Sequence, residues 1–350
     1  MPVKRTRLEL HRDPAHDPGI DVARDRADAI AGSAKRPLII SDGGPIRIGT
    51  ASWTDPSITA PGVFYPEGQS SAEQRLRFYA DRFSLVEVDA TYYALPARRM
   101  ADLWVERTPD DFTFNLKAHA LMTGQPTETS RLPREIREAL PNALRDKRRI
   151  YSKDLPTELI DAVWRIYREA LEPLRTAGKL GAILMQYPRW FMPNRANSRE
   201  LLEARDRLAP LPMAVEVRNG RWLANEDRAA RLFAWLAEND LTYVVVDQPQ
   251  GLESSVPPLA AVASPRLAIV RFHGRRVETW ERPEVGVLER FRYLYDEREF
   301  AEWAPRVAEL SQRADETHVI MNNCYANYGT TNAEEFAEIL QRVSSAHPAE

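Results

Sequence analysis

The sequence predicts an α/β fold, specifically a TIM-type (β/α)8 barrel: a closed parallel sheet wrapped in helices. Three observations point there. Eight short β-rich runs recur between residues 46 and 323, helical patterns lie between most of them, and every run ends in polar residues. The rival is a doubly wound open sheet. It lacks its usual support, because no Gly-x-Gly-x-x-Gly follows a strand and no phosphate-binding Gly-Lys-Ser/Thr loop occurs. No cofactor is expected.

The first strand is read at 46–51. Ser70 and Ser71 then open a helix, with Glu73 and Gln74 at capping-box spacing and Leu76, Tyr79, Ala80 and Phe83 on one face. The second strand lies in 83–96. There Leu85, Val86 and Val88 are bulky and close together, and Glu87, Asp89 and Thr91 alternate with Val86 and Val88, so one face is aliphatic and the other carries two carboxylates and a hydroxyl. Pro96 starts a helix with Met100, Leu103 and Trp104 inward, and Pro109 stops it. Strands follow at 112–117, 181–187, 213–218, 241–247, 267–273 and 317–323. Helices are expected at 198–208, 226–238 and 300–313, and a last one from Asn332, capped with Glu335.

Residues 45–345 thus form a single barrel domain with two additions. Residues 1–44, rich in Arg, Asp, His, Pro and Gly, read as a flexible or surface-draped extension, or alternatively as a lid or partner-binding arm. The insertion 120–178, after the third strand, is too long for a simple crossover. It holds a helix at 157–176, and residues 131–153 carry eight Lys or Arg against three acids. It is either a solvated insertion or a basic flap over the barrel mouth.

The chain is 350 residues long with a net charge of -3, so no global basic field points to nucleic acid or acidic membrane. Cys324 is the single cysteine, which rules out an intramolecular disulfide and fits a reducing cytosol. No apolar run has membrane-spanning length, and residues 1–18 lack the apolar core of a secretory signal. A cytoplasmic location without membrane contact is expected. The oligomeric state is not readable.

Barrel active sites lie at the C-terminal strand ends. Read there, Glu87, Asp89, Glu216 and Asp247 face Lys117, Arg218 and Arg271, with His119 and His273 of adjustable charge and Asn322 and Asn323 nearby. One reading is a mutually satisfied ionic network. The other is a charged pocket in which Lys117, Arg218 and Arg271 hold an anion, Arg offering a planar donor fork. Glu87 and Asp89 most simply orient those cations. Glu216, His273 and Asp247 are the candidate catalytic groups. Gly274, after His273, leaves room for a ligand. Trp53, Trp222 and Trp280, with Trp190, follow strands; they either stack on a sugar or base or anchor loops. Neither His-Glu-x-x-His nor a cysteine pair is present, and the rim cations would repel a metal ion, so none is expected. Cys324 reads as a small packed residue rather than a nucleophile.

In order along the chain, Ile48-Gly-Thr-Ala-Ser-Trp53, Phe64-Tyr-Pro66, residues 83–96, Phe112-Thr-Phe-Asn-Leu-Lys117, residues 181–191, Val215-Glu-Val-Arg218 with Trp222, Arg271-Phe-His-Gly274 and Asn322-Asn323 with Asn332-Ala333 resemble the domain-of-unknown-function 72 family, also called YecE-like. The resemblance spans about 46–343. It implies a TIM-type barrel and supplies no reaction. That fold is similar to those of sugar isomerases and apurinic endonucleases, by analogy only. The chain departs from the family pattern in its extension, in its basic insertion, and in Ala51-Ser-Trp53, where typical members have Ser-Gly-Trp.

The leading functional expectation is a hydrolase or lyase acting on a phosphate- or carboxylate-bearing sugar, nucleotide or nucleic acid end. A non-catalytic nucleic-acid-binding module using residues 131–153 is the alternative. A metal-dependent barrel hydrolase or isomerase is a further one.

Overall fold

Eight parallel strands close on themselves. In the computed structural model, which describes residues 17–30, 38–39 and 43–345, they are β1 (Ile46–Thr50), β2 (Leu85–Val88), β3 (Thr113–Lys117), β4 (Leu180–Gln186), β5 (Met213–Glu216), β6 (Thr242–Asp247), β7 (Ala268–Phe272) and β8 (Thr317–Met321). Each pairs with its sequence neighbours, and β8 pairs with β1 to complete the ring. The expected barrel is present, with strand ends within a few residues of their predicted places except in β2, which stops at Val88: Asp89 turns into αR conformation and Ala90–Tyr93 forms a helical turn, so Thr91 does not continue the strand face. At Gly49 a side chain would strike the Leu85 carbonyl, so the closest approach of β1 to β2 requires glycine.

The helices follow from capping and periodicity. In α2 (Ala72–Ala80) the Ser71 hydroxyl accepts from the Gln74 amide and the Gln74 side chain returns to the Ser71 amide, while Leu76, Tyr79 and Ala80 face the core. α3 (Arg98–Glu106) buries Ala101 and Trp104. The helix expected at 157–176 is two: α4 (Thr157–Ala170) and a short turn Glu172–Thr176, because Pro173 cannot continue the first and suits the start of the second. α5 (Arg195–Leu208), α6 (Glu226–Glu238) and α7 (Glu297–Ser311) complete the shell up to the last helix.

That last helix, α8 (Tyr328–Ser345), corrects one expectation. It begins a full turn before Asn332, which therefore lies inside it rather than at its cap. The Asn332 amide is buried and holds Tyr295 by both main-chain groups, accepting from its N–H at 3.0 Å and donating to its carbonyl at 3.1 Å. It also accepts from Asn323 at 2.8 Å. The side chain clamps the loop after β7 to α8.

Within the stretch expected as an extension, Pro18–Ile30 forms α1, lying on α8. Ile20 and Ala23 pack with Val63, Tyr325 and Tyr328. Arg26 forks onto Glu335 at 2.6 and 2.7 Å, and Asp17 meets Arg292 at 2.7 Å. Leu38–Ile39 pairs antiparallel with the start of β1. The remainder of residues 1–42 lies outside the described residues, so the extension expectation is described only in part.

The insertion has its own internal order. Thr127–Glu128 pairs with Arg149–Ile150, and Leu132, Ile136, Leu140, Leu144, Ile150 and Leu155 are buried in the main core. Its arginines point outward, Arg134 and Arg148 almost fully exposed. An apolar underside and a basic outer face make it a packed layer. Among the described residues no helix is long and apolar enough to cross a membrane.

Candidate functional site

The ends of the strands and the loops that follow all eight of them line one cavity of about 570 Å³. That volume suits a small molecule. Its floor rests on a buried ionic network strung across the barrel bore. Arg271 on β7 donates to Glu216 on β5, to Glu87 on β2 at 2.6 Å, and to the Asn322 side-chain oxygen after β8 at 3.1 Å. The second Glu216 oxygen accepts from Arg218. Arg271, Glu87 and Glu216 are essentially inaccessible to solvent.

The network also fixes His273. The Asn322 oxygen accepts from Arg271, so its NH2 faces His273 Nδ1 at 2.7 Å and donates to it. A neutral His273 then carries its proton on Nε2, which stands 3.4 Å from Glu216. Burial, reinforced by Arg218, drives the His273 pKa down to about 3, so the ring is neutral near pH 7. Burial alone would raise Glu216, yet Arg218 and Arg271 outweigh it and hold the carboxyl well below the usual range. Glu87 goes the other way: burial raises it, and Arg271 and Lys117 offset that only in part. The two carboxylates that share Arg271 are thus shifted in opposite directions.

Above this floor the walls are unlike. On the β1–β3 side, Lys117 pairs with Asp89 at 2.9 Å, and its ammonium lies 4.7 Å from the Tyr92 ring centre. Both partners keep some exposure, 14% for Lys117 and 28% for Asp89, and both line the cavity with Asp55, Tyr92 and Tyr93. On the β4–β7 side stand Arg189, Trp190, Arg218, Trp280, Arg290 and Phe291. The Arg218 guanidinium lies over Trp280 at 5.3 Å, a cation–π contact that orients it.

Of the residues marked by the sequence, the structure brings Glu87, Glu216, Arg218, Arg271 and His273 into one cluster, with Asp89, Lys117 and Trp280 on the cavity wall. Others are elsewhere. Asp247 points out of the barrel, accepting from Arg275 at 2.8 Å, Tyr295 at 2.7 Å and Trp303 at 2.7 Å. Asn323 donates to Tyr293 and Asn332. His119 is buried, its Nδ1 accepting from the Leu121 amide, and burial lowers its pKa to about 4. Trp53 packs edge-on against Trp104. Trp222 stacks on Phe191 and donates its indole N–H to the Phe191 carbonyl at 2.8 Å. None of these five lines the cavity. The room expected at Gly274 is filled by the Tyr293 ring, and the residue instead adopts a left-handed turn (φ +86°).

Sequence reasoning missed Arg189, Asp55 and Gln125, which reach the cavity from loops, and Arg290, which ends the one-turn helix Val287–Arg290; none carries a periodic signal. Trp190, named only among the loop tryptophans, is the exposed one, at 57%. Of the insertion only Gln125 lines the cavity, while Arg131 stacks on Tyr93 at 5.5 Å beside its edge. Cys324 borders the cavity, and burial raises its thiol pKa far above the usual value, which leaves it a protonated, weakly nucleophilic group. Among the described residues no group of three His, Cys, Asp or Glu side chains has the arrangement of a metal site.

Comparison with known proteins agrees with this architecture. The model of the family described as "Protein of unknown function DUF72" matches residues 47–350. The chain is 28% identical over 298 residues to the UPF0759 protein YunF of Bacillus subtilis, covering 84% of this chain and 94% of that one. A DUF72 family protein of Thermotoga maritima has a similar structure, with TM-score 0.66, 29% identity, and 85% and 99% of the two chains covered. One from Enterococcus faecalis also matches at TM-score 0.66, with 26% identity and coverage of 84% and 95%. A closed eightfold barrel, a charged floor at its strand ends and a family match over most of its length place the chain in the DUF72 family, alongside the UPF0759 proteins.

Proposed function

We propose that this barrel binds a small molecule bearing a phosphate or carboxylate in the cavity at its strand ends, and acts on it by hydrolase or lyase chemistry. The observation that carries the reading is Arg218. Glu216 holds it from below and Trp280 from one face, while its remaining edge lines the cavity. A guanidinium fixed in this way meets an anion with little further loss of side-chain freedom.

In this reading Glu216 and His273 are positioning residues, because the two Glu216 oxygens are engaged by Arg218 and Arg271 and neither residue is exposed. Asp89 is a carboxylate at the end of β2 that lines the cavity, and Lys117 beside it can balance or receive charge. The pair is the reacting group of the proposal. Its test is to identify by mass spectrometry what co-purifies and to titrate anions by calorimetry into parent, Arg218→Ala and Asp89→Asn proteins. Arg218→Ala should weaken anion binding about tenfold or more. Asp89→Asn should bind yet fail to turn over any substrate that emerges. Undiminished anion binding by Arg218→Ala would refute the reading.

A second reading, nucleic-acid binding, is favoured by the position of Arg131 on Tyr93, which brings the basic insertion to the cavity edge. It predicts binding of single-stranded DNA or RNA that falls steeply with salt and is lost when Arg134, Arg137 and Arg148 are changed to Glu.

A further inference from the structure

The cavity is bipolar. Its β4–β7 wall carries Arg189, Arg218 and Arg290. Against them stand Glu281, whose Oε1 accepts from the Ser254 amide at 2.8 Å, and the buried Glu216, which is shared with Arg271. Among the described residues Arg189 and Arg290 have no ion pair within 4 Å. The Arg290 guanidinium reaches only the carbonyls of Arg282 and Val285, at 2.9 and 3.3 Å, and its Nε is buried without a partner. The three arginines also oppose one another. After burial, Arg189 is what depresses the pKa of Arg290, and Arg290 is among the charges that depress Arg218. A bound anion would relieve that repulsion.

The opposite wall has the other sign. Asp55 and Asp89 line it, and among the described residues the cation that lines it, Lys117, is already paired with Asp89. Asp55 Oδ1 accepts from the Ser57 amide at 2.9 Å and from its hydroxyl at 2.6 Å. For each aspartate, Oδ1 takes these bonds, leaving Oδ2 able to accept from a ligand hydroxyl. Tyr92 on this wall and Trp190 on the other add aromatic faces of the kind that suit a sugar ring.

We infer that the ligand is a phosphate monoester of a polyhydroxylated body, its phosphoryl group on Arg189 and Arg290 beside Arg218 and its hydroxyls toward Asp55 and Asp89. A single carboxylate would answer one guanidinium fork and leave the others facing each other. A phosphoryl group presents three acceptor oxygens and carries close to two negative charges at pH 7. A nucleic acid strand would instead bring phosphodiesters, each with one charge, toward the acidic wall as well.

This inference rests on the anion-binding reading above, and calorimetry on the full-length protein separates the two. The probes are inorganic phosphate, ribose, and the phosphate monoesters of a triose, a pentose and a hexose. At least one sugar phosphate should bind more tightly than phosphate or ribose alone. Arg189→Ala should cost about tenfold for that sugar phosphate, and Arg189→Ala with Arg290→Gln about a hundredfold, at roughly tenfold per lost charged contact. Asp55→Asn should leave inorganic phosphate binding unchanged and remove the advantage of the sugar phosphate. Arg189 is exposed, so its single variant tests the subsite without disturbing the fold. If the double variant binds every sugar phosphate as the parent does while Arg218→Ala does not, the phosphoryl subsite is wrong and the broader reading stands. If neither phosphate nor any sugar phosphate binds the parent at millimolar concentration, both fail.

Discussion

Changing Arg271 to Met removes the cation that ties Glu87 to Glu216, and the cost follows from burial. All three side chains are shielded from water, and Arg271 reaches both carboxylates. A methionine fills similar volume but leaves Glu87 with no direct cation among the described residues, while Glu216 keeps Arg218. Breaking a buried pair this way costs about 3–5 kcal/mol. For a chain of 350 residues that is a fall in Tm of about 4–7 °C. The loss should also depend on pH. The folded-state pKa of Glu87 is already raised, so in that window the folded chain holds a proton that the unfolded chain has released, and stability falls as pH rises through it. Without Arg271 the window extends further upward, so the variant should lose most at pH 8 and less at pH 5. Urea unfolding at both values, in a cycle with Glu87→Gln, measures this. The double variant should regain about 1–2 kcal/mol over the sum of the single changes. An Arg271→Met protein within about 1 kcal/mol of the parent at pH 8, or a coupling below about 0.5 kcal/mol, would refute the network as a stabilising unit.

Three other outcomes are expected. The Glu334 carboxyl, raised to about 7 by burial against the weaker pull of Arg82, disfavours the folded state as pH climbs from about 4.5 through 7; Glu334→Gln should therefore stabilise the protein at pH 8, by at most about 3 kcal/mol, and lose that advantage at pH 5. His119, lowered to about 4, stays neutral in the folded chain while the unfolded chain takes up its proton below about 6.5; His119→Leu should flatten the loss of stability between pH 6.5 and 4.5 in a urea titration series. Trp222→Ala should cost about 3–5 kcal/mol, whereas Trp190→Ala, at an exposed site, should cost under about 0.5 kcal/mol and act on ligand binding instead, as parallel thermal melts and ligand titrations would distinguish.

The barrel was legible because its strands have a repeating physical signal, bulky apolar runs punctuated by helical stripes. The inward residues of β2, β5 and β7 were legible for a related reason: Glu87, Glu216, Arg218, Arg271 and His273 are polar at positions where a plain core would be aliphatic. Asp247 shows where that reasoning stops. It closes a strand of apolar residues with no polar alternation, so which way it faces was decided by Arg275, Tyr295 and Trp303, which lie far away in sequence. Asn332 shows a second limit. Asn followed by Glu at the third position reads the same at a helix cap as in a helix interior, and only the partner loop at Tyr295 separates the two. Arg189 lies in a turn and Arg290 ends the one-turn helix Val287–Arg290, and neither segment is long enough for a period to assign a direction.

The Arg271 network has a consequence for how the chain could be divided. Glu87 belongs to the first half of the barrel, while Glu216, Arg218 and Arg271 belong to the second. A cut between β4 and β5 would leave one fragment with an excess acid on its exposed seam and the other with an excess base. Two copies of the same half would bring like charges together. The ions that meet in the bore are therefore balanced only when both halves are present.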